Sequence, residues 1–470
     1  MLKRKLGLTE FYSRFCHDHA GGTTLLSGMI RVHGPLSSEL AEKALHVMQK
    51  RHAVLRSYFT GSSGKGDYLA VDEIPGRLPF TVLPREGEEH WKEVIEKSSV
   101  NLFSEKDRYL WRVVFLEESG VTNGFHEIIV TFHHAVADGI SVESFFGQFL
   151  EYYGLVFNDA APEMNTLPLI PSVEELLVKK ISWGGFLFSM IGSSIKLIKY
   201  RKHLNRYERF VPLHERRPGN VYREIKDIQS LNLNKLCREN NTTLTGLLSA
   251  ALTKAVYQVK KDHTAKAVQL LVTPVNVRER CNPVVEKERI GCFVDFIEAT
   301  LVFDHDTPLW ELARSYRKQL MDGIEYGGHM PTYYSRPLAM NLFSSMGKGM
   351  LKNVFQYGIG VTNIGRVNLK AHNGPFSVAG FSFCTGRQWG DWMILLHTAT
   401  VENTLYLCFA FAEPLVSRET VDLIADHVIN LLSSLNKNHD GDLKREETRS
   451  ILHAVNVPVA SVSQNDGGRD

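Results

Sequence analysis

Hydrophobic and polar positions follow two different periods along the chain, and the period changes at recognisable points. Apolar runs rich in β-branched residues predict strands at 24–34, 111–117 and 127–134, and a turn signal between the last two makes them a hairpin. Apolar residues at helical spacing predict a helix from Ser38 and another after Gly139. The first part of the chain therefore predicts a sheet covered by helices.

The same mixture returns after residue 215. Apolar residues on one face predict a helix from Leu244 to Val256, with Thr242 or Thr243 as its N-cap. Two more helices are predicted, one from Thr307 and one at about 416–435, and strands are predicted at 267–275, 292–303, 357–364, 377–384, 392–400 and 404–412. We therefore predict an α/β (α+β) chain of two lobes, each a mixed sheet with helices.

The composition changes between these two halves. Prolines, an apolar stretch at 181–195 and then a run of basic residues separate them. The length of 470 residues also suits two domains better than one core. We predict an N-terminal lobe at 1–160, a crossover linker at 161–215, a C-terminal lobe at 216–440 and a polar tail at 441–470.

Composition excludes several classes of protein. A hydrophobic fraction of 43% is typical of globular chains, and a net charge of +2 gives no general attraction to nucleic acid. The six cysteines are scattered, so we expect reduced thiols and no zinc site. The N-terminus lacks the pattern of a signal peptide, and 181–195 is too short and too rich in glycine and serine to span a bilayer. These features predict a cytoplasmic protein, which we expect to be a monomer.

The basic segment that overlaps the linker, 181–209, has three interpretations. It is a crossover helix with a solvated basic face, a rim that attracts CoA phosphates or an acidic carrier protein, or a helix that makes peripheral contact with a membrane. The sequence alone does not separate them.

The sequence HHAVADG at 133–139 concentrates chemistry at the junction of a predicted strand and helix. Adjacent strand residues point to opposite faces, so His133 and His134 cannot chelate one metal ion as a pair. A metal hydrolase that used both histidines with Asp138 would need ligands on opposite faces. One imidazole is expected to face a cleft, where a neutral ring can remove a proton from a hydroxyl or amine nucleophile.

Asp138 and Gly139 allow two interpretations. In the first, Asp138 caps the following helix and Gly139 allows the chain to turn. In the second, the carboxylate is buried and needs a cation, since an unpaired buried charge is costly. Arg278 and Arg280, just past a predicted strand, are the available partners.

The 133–139 motif resembles the HHxxxDG signature of the condensation-domain and CoA-dependent acyltransferase superfamily, which includes chloramphenicol acetyltransferase. Three further regions are similar to that superfamily in the same order, and they lie at 27–59, at 274–280 together with 290–296, and at 361–367. The similarity covers roughly residues 8–435, and it favours alcohol acetyltransferase-like and polyketide-associated members. The sequence departs from the pattern at Cys292, where asparagine is common, and it lacks the DFGWG signature of the plant branch.

The resemblance implies two chloramphenicol-acetyltransferase-like lobes with a tunnel between them. The donor, an acyl-CoA or acyl-phosphopantetheine thioester, would enter from one face, and a small-molecule or lipid alcohol would enter from the other. No bound cofactor is implied, and an acyl carrier protein would be a partner if it delivered the donor. Amide formation by a condensation-type enzyme is the alternative activity, and a silent thioester- or lipid-binding relative is the alternative without activity.

The resemblance also implies a role for each residue of the site. His134 would be the general base for direct attack on the thioester, without an acyl-enzyme. Asp138 would be structural and paired with Arg278, and Gly139 would keep the loop clear of the donor. The candidates for the active site or tunnel are His133, Thr362 as the oxyanion donor, and Asn363 as second choice. His397 and His427 are predicted to be ordinary structural histidines, and no metal is expected.

Overall fold

The structure is a computed structural model that describes residues 2–19, 25–62, 65–104, 106–118, 124–162, 165–177, 192, 195, 199–229, 231–260, 267–326, 355, 357–369, 374–386 and 392–435. The predicted polar tail at 441–470 and nearly all of the apolar stretch at 181–195 lie outside these residues. No helix within the described ranges combines the length and apolar character that crossing a membrane requires.

A five-stranded sheet organises the N-terminal lobe. Its order is β12–β2–β7–β6–β5, formed by β12 (Ser377–Thr385), β2 (Leu26–Gly34), β7 (Gly124–Phe132), β6 (Trp111–Glu117) and β5 (Phe80–Pro84). A smaller antiparallel sheet beside it contains β1 (Leu2–Lys5), β4 (Lys65–Val71) and β3 (Ser57–Ser62). The helices of this half are α1 (Leu8–His19), α2 (Ser38–Arg51), α3 (His90–Val100) and α4 (Gly139–Phe157), with one further turn at Val173–Leu176.

The predicted hairpin is present, because β6 and β7 pair antiparallel with Val113 opposite Val130. Both predicted helices of this lobe also begin where the sequence indicates. The Ser37 hydroxyl caps α2, and Asp138 caps α4. Phenylalanines of α4 are buried against the sheet, which explains why their helical spacing could be recognised in the sequence.

A six-stranded sheet organises the C-terminal lobe. Its order is β10–β9–β11–β13–β14–β8, formed by β10 (Val294–Phe303), β9 (Ala267–Asn276), β11 (Tyr357–Val367), β13 (Trp392–Val401), β14 (Thr404–Glu413) and β8 (Arg217–Ile225). The β9–β11 and β11–β13 pairs are parallel, and the other pairs are antiparallel. The helices are Leu233–Glu239, Leu244–Lys260, Leu309–Tyr326 and 418–435. The predicted two-lobed α/β architecture with mixed sheets is confirmed.

Strand β12 belongs to the C-terminal half of the sequence but to the N-terminal sheet. It pairs antiparallel with β2, where Phe381 lies opposite Ile30. Phe381 and Phe383 are buried in the core of the N-terminal lobe, and Phe381 contacts Phe146 of α4 edge to face. The predicted C-terminal lobe at 216–440 therefore describes a stretch of sequence, but one of its strands crosses to the other sheet. Strand-like periodicity does not reveal which edge a strand will join.

Candidate active site

The 133–139 motif forms the connection between β7 and α4, where the two lobes meet. The His133 backbone N–H donates to the Leu110 carbonyl at 2.9 Å, and the Val136 N–H donates to the His133 carbonyl at 3.0 Å. These bonds hold the loop in a tight turn, and the two histidines point to different surroundings. Within the described part of the chain, no group of three or more His, Cys, Asp or Glu side chains is arranged to hold a metal ion.

His133 lies among aromatic rings in the interior of the N-terminal lobe. Its ring centroid is 4.8 Å from that of His17 and 4.9 Å from that of Phe59. Its Nδ1 accepts a hydrogen bond from the Ala135 N–H at 3.1 Å. Burial, reinforced by His17 and His134, holds the pKa of His133 well below its usual range. His133 is therefore a neutral packing residue, and it does not line the pocket that His134 lines.

A pocket with an empty volume of about 690 Å³ lies beside His134. Side chains of both lobes form its walls, because the exchanged strand β12 and helix α1 approach the six-stranded sheet there. The described residues that line it are Thr9, Tyr12, Ser13, Leu26, His134, Gly139, Pro274, Cys292, Val294, Phe296, Thr362, Phe383, Thr385, Trp392, Leu395 and His397. His134 and Thr362, predicted from distant parts of the sequence, thus face the same cavity.

The His134 imidazole is only partly exposed, and its chemistry follows from that environment. Burial is the largest influence and lowers the pKa, while backbone hydrogen bonding at His134 and Ala137 and the charge of Asp138 oppose it, so that the net pKa lies below the usual value. The ring is therefore neutral at neutral pH and can accept a proton. Its Nδ1 lies 3.7 Å from the Cys292 Sγ, which leaves Nε2 for a ligand in the pocket.

Asp138 performs both of the functions that the sequence left open. Its Oδ1 accepts from the Ser141 N–H at 2.8 Å and from the Ser141 hydroxyl at 2.9 Å, which caps α4. Arg278 donates to the same carboxylate through Nη1 at 2.7 Å and Nη2 at 3.0 Å, and the Phe293 N–H donates at 2.9 Å. Arg280, the other candidate cation, lies 4.0 Å from Asp295 instead. The loop that carries His134 is thus fastened to the C-terminal lobe.

The charges in this pair support each other. Burial alone would raise the pKa of the Asp138 carboxyl, but the charge and hydrogen bonds of Arg278, with the N–H groups of Phe293 and Ser141, outweigh it and lower the pKa. Arg278 is almost fully buried, and its guanidinium carbon lies 4.7 Å from the Phe293 ring centroid. The carboxylate is therefore ionised and cannot itself serve as an acid or base near neutral pH.

Gly139 lies at a close approach between the start of α4 and two strands. A Cβ at this position would lie 3.0 Å from the Ile364 Cγ2 and 3.2 Å from the Phe383 Cε2. Glycine therefore lets β11 and β12 approach the start of α4. Asn363, the second choice for the oxyanion donor, does not line the pocket: its Nδ2 donates to the Thr245 hydroxyl at 3.2 Å and its Oδ1 accepts from the Gly365 N–H at 2.9 Å. Its neighbour Thr362 points to the other face of β11, as strand alternation requires.

His397 lines the pocket, which the sequence did not predict. It lies opposite Thr362 in the register of β11 and β13. Its Nε2 accepts a hydrogen bond from the Thr385 N–H at 3.2 Å, so it connects the six-stranded sheet to the exchanged strand. Burial lowers the pKa of His397 to about 3, and the ring is therefore neutral. The strand around it was predicted, but a pairing across two strands cannot be obtained from periodicity.

A second cavity lies on the other side of the motif loop, and Cys292 borders both cavities. Charged side chains of Arg4, Glu10 and Arg289 line this second cavity. Helix α1, which forms a wall of the first cavity, is held by Glu174, whose Oε1 accepts from the Thr9 N–H at 2.7 Å and from its hydroxyl at 2.6 Å. The contribution of α1 was also missed, because the N-terminal sequence carries no recognisable motif.

Comparisons with known proteins identify what the whole chain is similar to. Residues 217–376 match a family model described as the phthiocerol/phthiodiolone dimycocerosyl transferase C-terminus. The chain is 23% identical over 464 residues to one of the plipastatin synthase proteins of Bacillus subtilis, covering 94% of this chain and 12% of that protein. It spans only 2% and 1% of two other synthetases that it resembles.

Solved structures match over nearly the whole chain. The trichothecene 15-O-acetyltransferase of Fusarium sporotrichioides superposes with a TM-score of 0.72 at 12% identity, covering 92% of this chain and 95% of that one. The first condensation domain of the CDA synthetase gives a TM-score of 0.65 at 12% identity, covering 93% and 96%. At this identity the likeness concerns the fold.

Proposed function

We propose that this chain is a member of the superfamily of condensation domains and CoA-dependent acyltransferases, and that it transfers an acyl group from a CoA or carrier-protein thioester to a hydroxyl group. The observation that carries the proposal is the neutral His134 imidazole on the wall of a pocket between the lobes. Among the described residues no charged side chain forms an ion pair with this ring, so its lone pair is available to a substrate.

His134 would act as a general base. Its Nε2 takes the proton from the acceptor hydroxyl while the oxygen attacks the thioester carbonyl carbon. The C–S bond then breaks, and the leaving thiolate takes the proton back from the imidazolium, so that ester and free thiol are the products. A positioned base of this kind contributes about 10²- to 10⁴-fold to the rate.

Thr362 would stabilise the oxyanion of the tetrahedral intermediate. Its Oγ1 is buried and has no hydrogen-bond partner among the described residues, so the hydroxyl can donate to a ligand. Asp138 and Arg278 contribute indirectly, because their ion pair holds the turn that carries His134. The geometry supports one base and one donor on the same cavity, as acyl transfer requires.

The test is a turnover assay with a panel of acyl-CoA donors and pooled alcohols and amines, read by mass spectrometry and by release of free thiol. We expect ester formation, and we expect His134→Ala to lose it with unchanged circular dichroism. His427→Ala is the matched control, because His427 lies in the helix 418–435 and not on the pocket. Equal turnover by His134→Ala and the wild type would refute the assignment of the base.

Amide formation is the second candidate activity. The relatives include a nonribosomal peptide synthetase of Curvularia clavata, and a neutral base serves an amine nucleophile equally well. The amine pool in the same assay decides between them: amide as the main product would replace the ester assignment. Saturable binding of acyl-CoA without any product would instead indicate a silent relative.

A further inference from the structure

We propose that the pocket beside His134 selects an acceptor that is uncharged and largely apolar along the part that it buries. This inference rests on the proposed acyl transfer and specifies the class of acceptor for the same site.

The first argument is the composition of the walls. Among the described residues that line this pocket there is no aspartate, glutamate, lysine or arginine. Most of the wall is apolar or aromatic, formed by Tyr12, Leu26, Pro274, Val294, Phe296, Phe383, Trp392 and Leu395. A pocket with such walls suits a ligand of considerable apolar surface.

The second argument is that several polar groups in the walls already have partners inside the protein. The Thr9 hydroxyl donates to Glu174, and the Ser13 hydroxyl donates to the Thr9 carbonyl at 3.0 Å. His397 accepts from the Thr385 backbone N–H. These groups offer little to a ligand, whereas His134 and Thr362 lie on the same walls and can interact with the reacting atoms.

The third argument is the electrostatic contrast with the second cavity. Arg4, Glu10 and Arg289 line that cavity, so charge lies on the other side of the motif loop. A carboxylate or ammonium in the apolar pocket would lose its hydration and gain no counter-charge from the described walls, which is strongly unfavourable. The pocket therefore discriminates by charge, and we expect a preference of at least about a hundredfold for the neutral acceptor.

The experiment compares two acceptors of the same chain length, ω-hydroxydecanoate and its methyl ester, in which a methyl group replaces the negative charge. Binding to the wild-type chain is measured by calorimetry, and turnover is measured with acetyl-CoA by release of free thiol. Phe296→Lys tests the cause, because Phe296 is half-buried on the pocket wall and a lysine there supplies the missing counter-charge. Phe296→Met is the matched control, since it shortens the side chain without adding charge.

We expect the ester to bind and react at least a hundredfold better than the acid, Phe296→Lys to reduce this ratio at least tenfold, and Phe296→Met to preserve it. Equal affinity of the wild type for both, or no saturable binding of the ester, would overturn the inference. Thiol release at equal kcat/KM with both acceptors would retain acyl transfer and overturn the selectivity. Discriminating binding without thiol release would retain the selectivity and overturn acyl transfer. The wild-type ratio decides the question if Phe296→Lys does not fold.

Discussion

Removing Arg278 should destabilise the protein by leaving Asp138 buried without its counter-charge. The Asp138 carboxylate accepts five hydrogen bonds, two of them from Arg278, and both side chains are 2% exposed. Arg278→Met keeps the three bonds from Ser141 and Phe293 but removes the positive charge. Breaking one side of a buried ion pair costs about 3–5 kcal/mol, so we expect a loss of that size in the free energy of unfolding.

A matched control lies on β8. Arg223 is 29% exposed and its partners Asp422 and Asp426 are 42% and 57% exposed, so Arg223→Met should cost less than about 1 kcal/mol. The double variant Asp138→Asn/Arg278→Met removes both charges together. Its loss in the free energy of unfolding should be at least about 1.5 kcal/mol smaller than the sum of the losses in the two single variants. The reason is that no unpaired buried charge remains in the double variant.

Urea unfolding followed by tryptophan fluorescence measures these differences. The contribution of the pair also has a defined pH dependence. The pKa of the folded Asp138 carboxyl lies below the unfolded value of about 3.9, so the contribution is complete above that value and is lost as the pH falls through the folded pKa. If Arg278→Met unfolded within about 1 kcal/mol of the wild type at pH 7, the argument from an uncompensated buried charge would be wrong.

Three further predictions concern the pocket. The acidic limb of kcat/KM against pH should have its midpoint below 6.5, because burial lowers the pKa of His134. Asp138→Asn should move this midpoint to still lower pH, because it removes a negative charge that raises the pKa of His134. A midpoint above 6.5 would contradict both predictions. Thr362→Val should lower kcat by about 10²- to 10³-fold while Thr362→Ser stays within about tenfold, and equal rates would exclude an oxyanion role. The pKa of His397 is lowered to about 3 from 6.5, so the unfolded chain binds the extra proton between these values and stability rises with pH there. His397→Asn should reduce the slope of the free energy of unfolding against pH between about pH 3 and 6.5, by at most about 1.4 kcal/mol per pH unit. An unchanged slope would mean that burial does not lower the pKa of His397 as described.

Local periodicity predicted most of the elements of the sheets that meet at the site. The hairpin of β6 and β7, the starts of α2 and α4, and the strands from β9 to β14 all follow apolar repeats that a buried face imposes. The strands β1, β3, β4 and β5 and the edge strand β8 were missed. The exposed positions of β1 and β5 interrupt the apolar pattern on which strand prediction depends.

The sequence motif identified the site residues of the loop between β7 and α4. The other residues of the site became apparent only from the tertiary structure. The predicted pairing of Asp138 with Arg278 relied on a resemblance and on the need for a cation, and the geometry contains that contact. His397 could not be predicted, because its place in the pocket depends on the parallel pairing of β11 with β13. Thr9 and Tyr12 reach the pocket on α1, which is held in part by Glu174, 165 residues away in sequence.

Because β12 comes from the C-terminal half of the sequence and pairs with β2 in the N-terminal sheet, we expect that neither half of the chain folds correctly without the other. A fragment that ended anywhere in the 161–215 linker would lack β12, so β2 would become an edge strand with unpaired backbone N–H and C=O groups. Such a fragment would tend to recruit a strand from another molecule and aggregate. Co-expression of complementary fragments should therefore rescue solubility only when the second fragment carries residues 377–385.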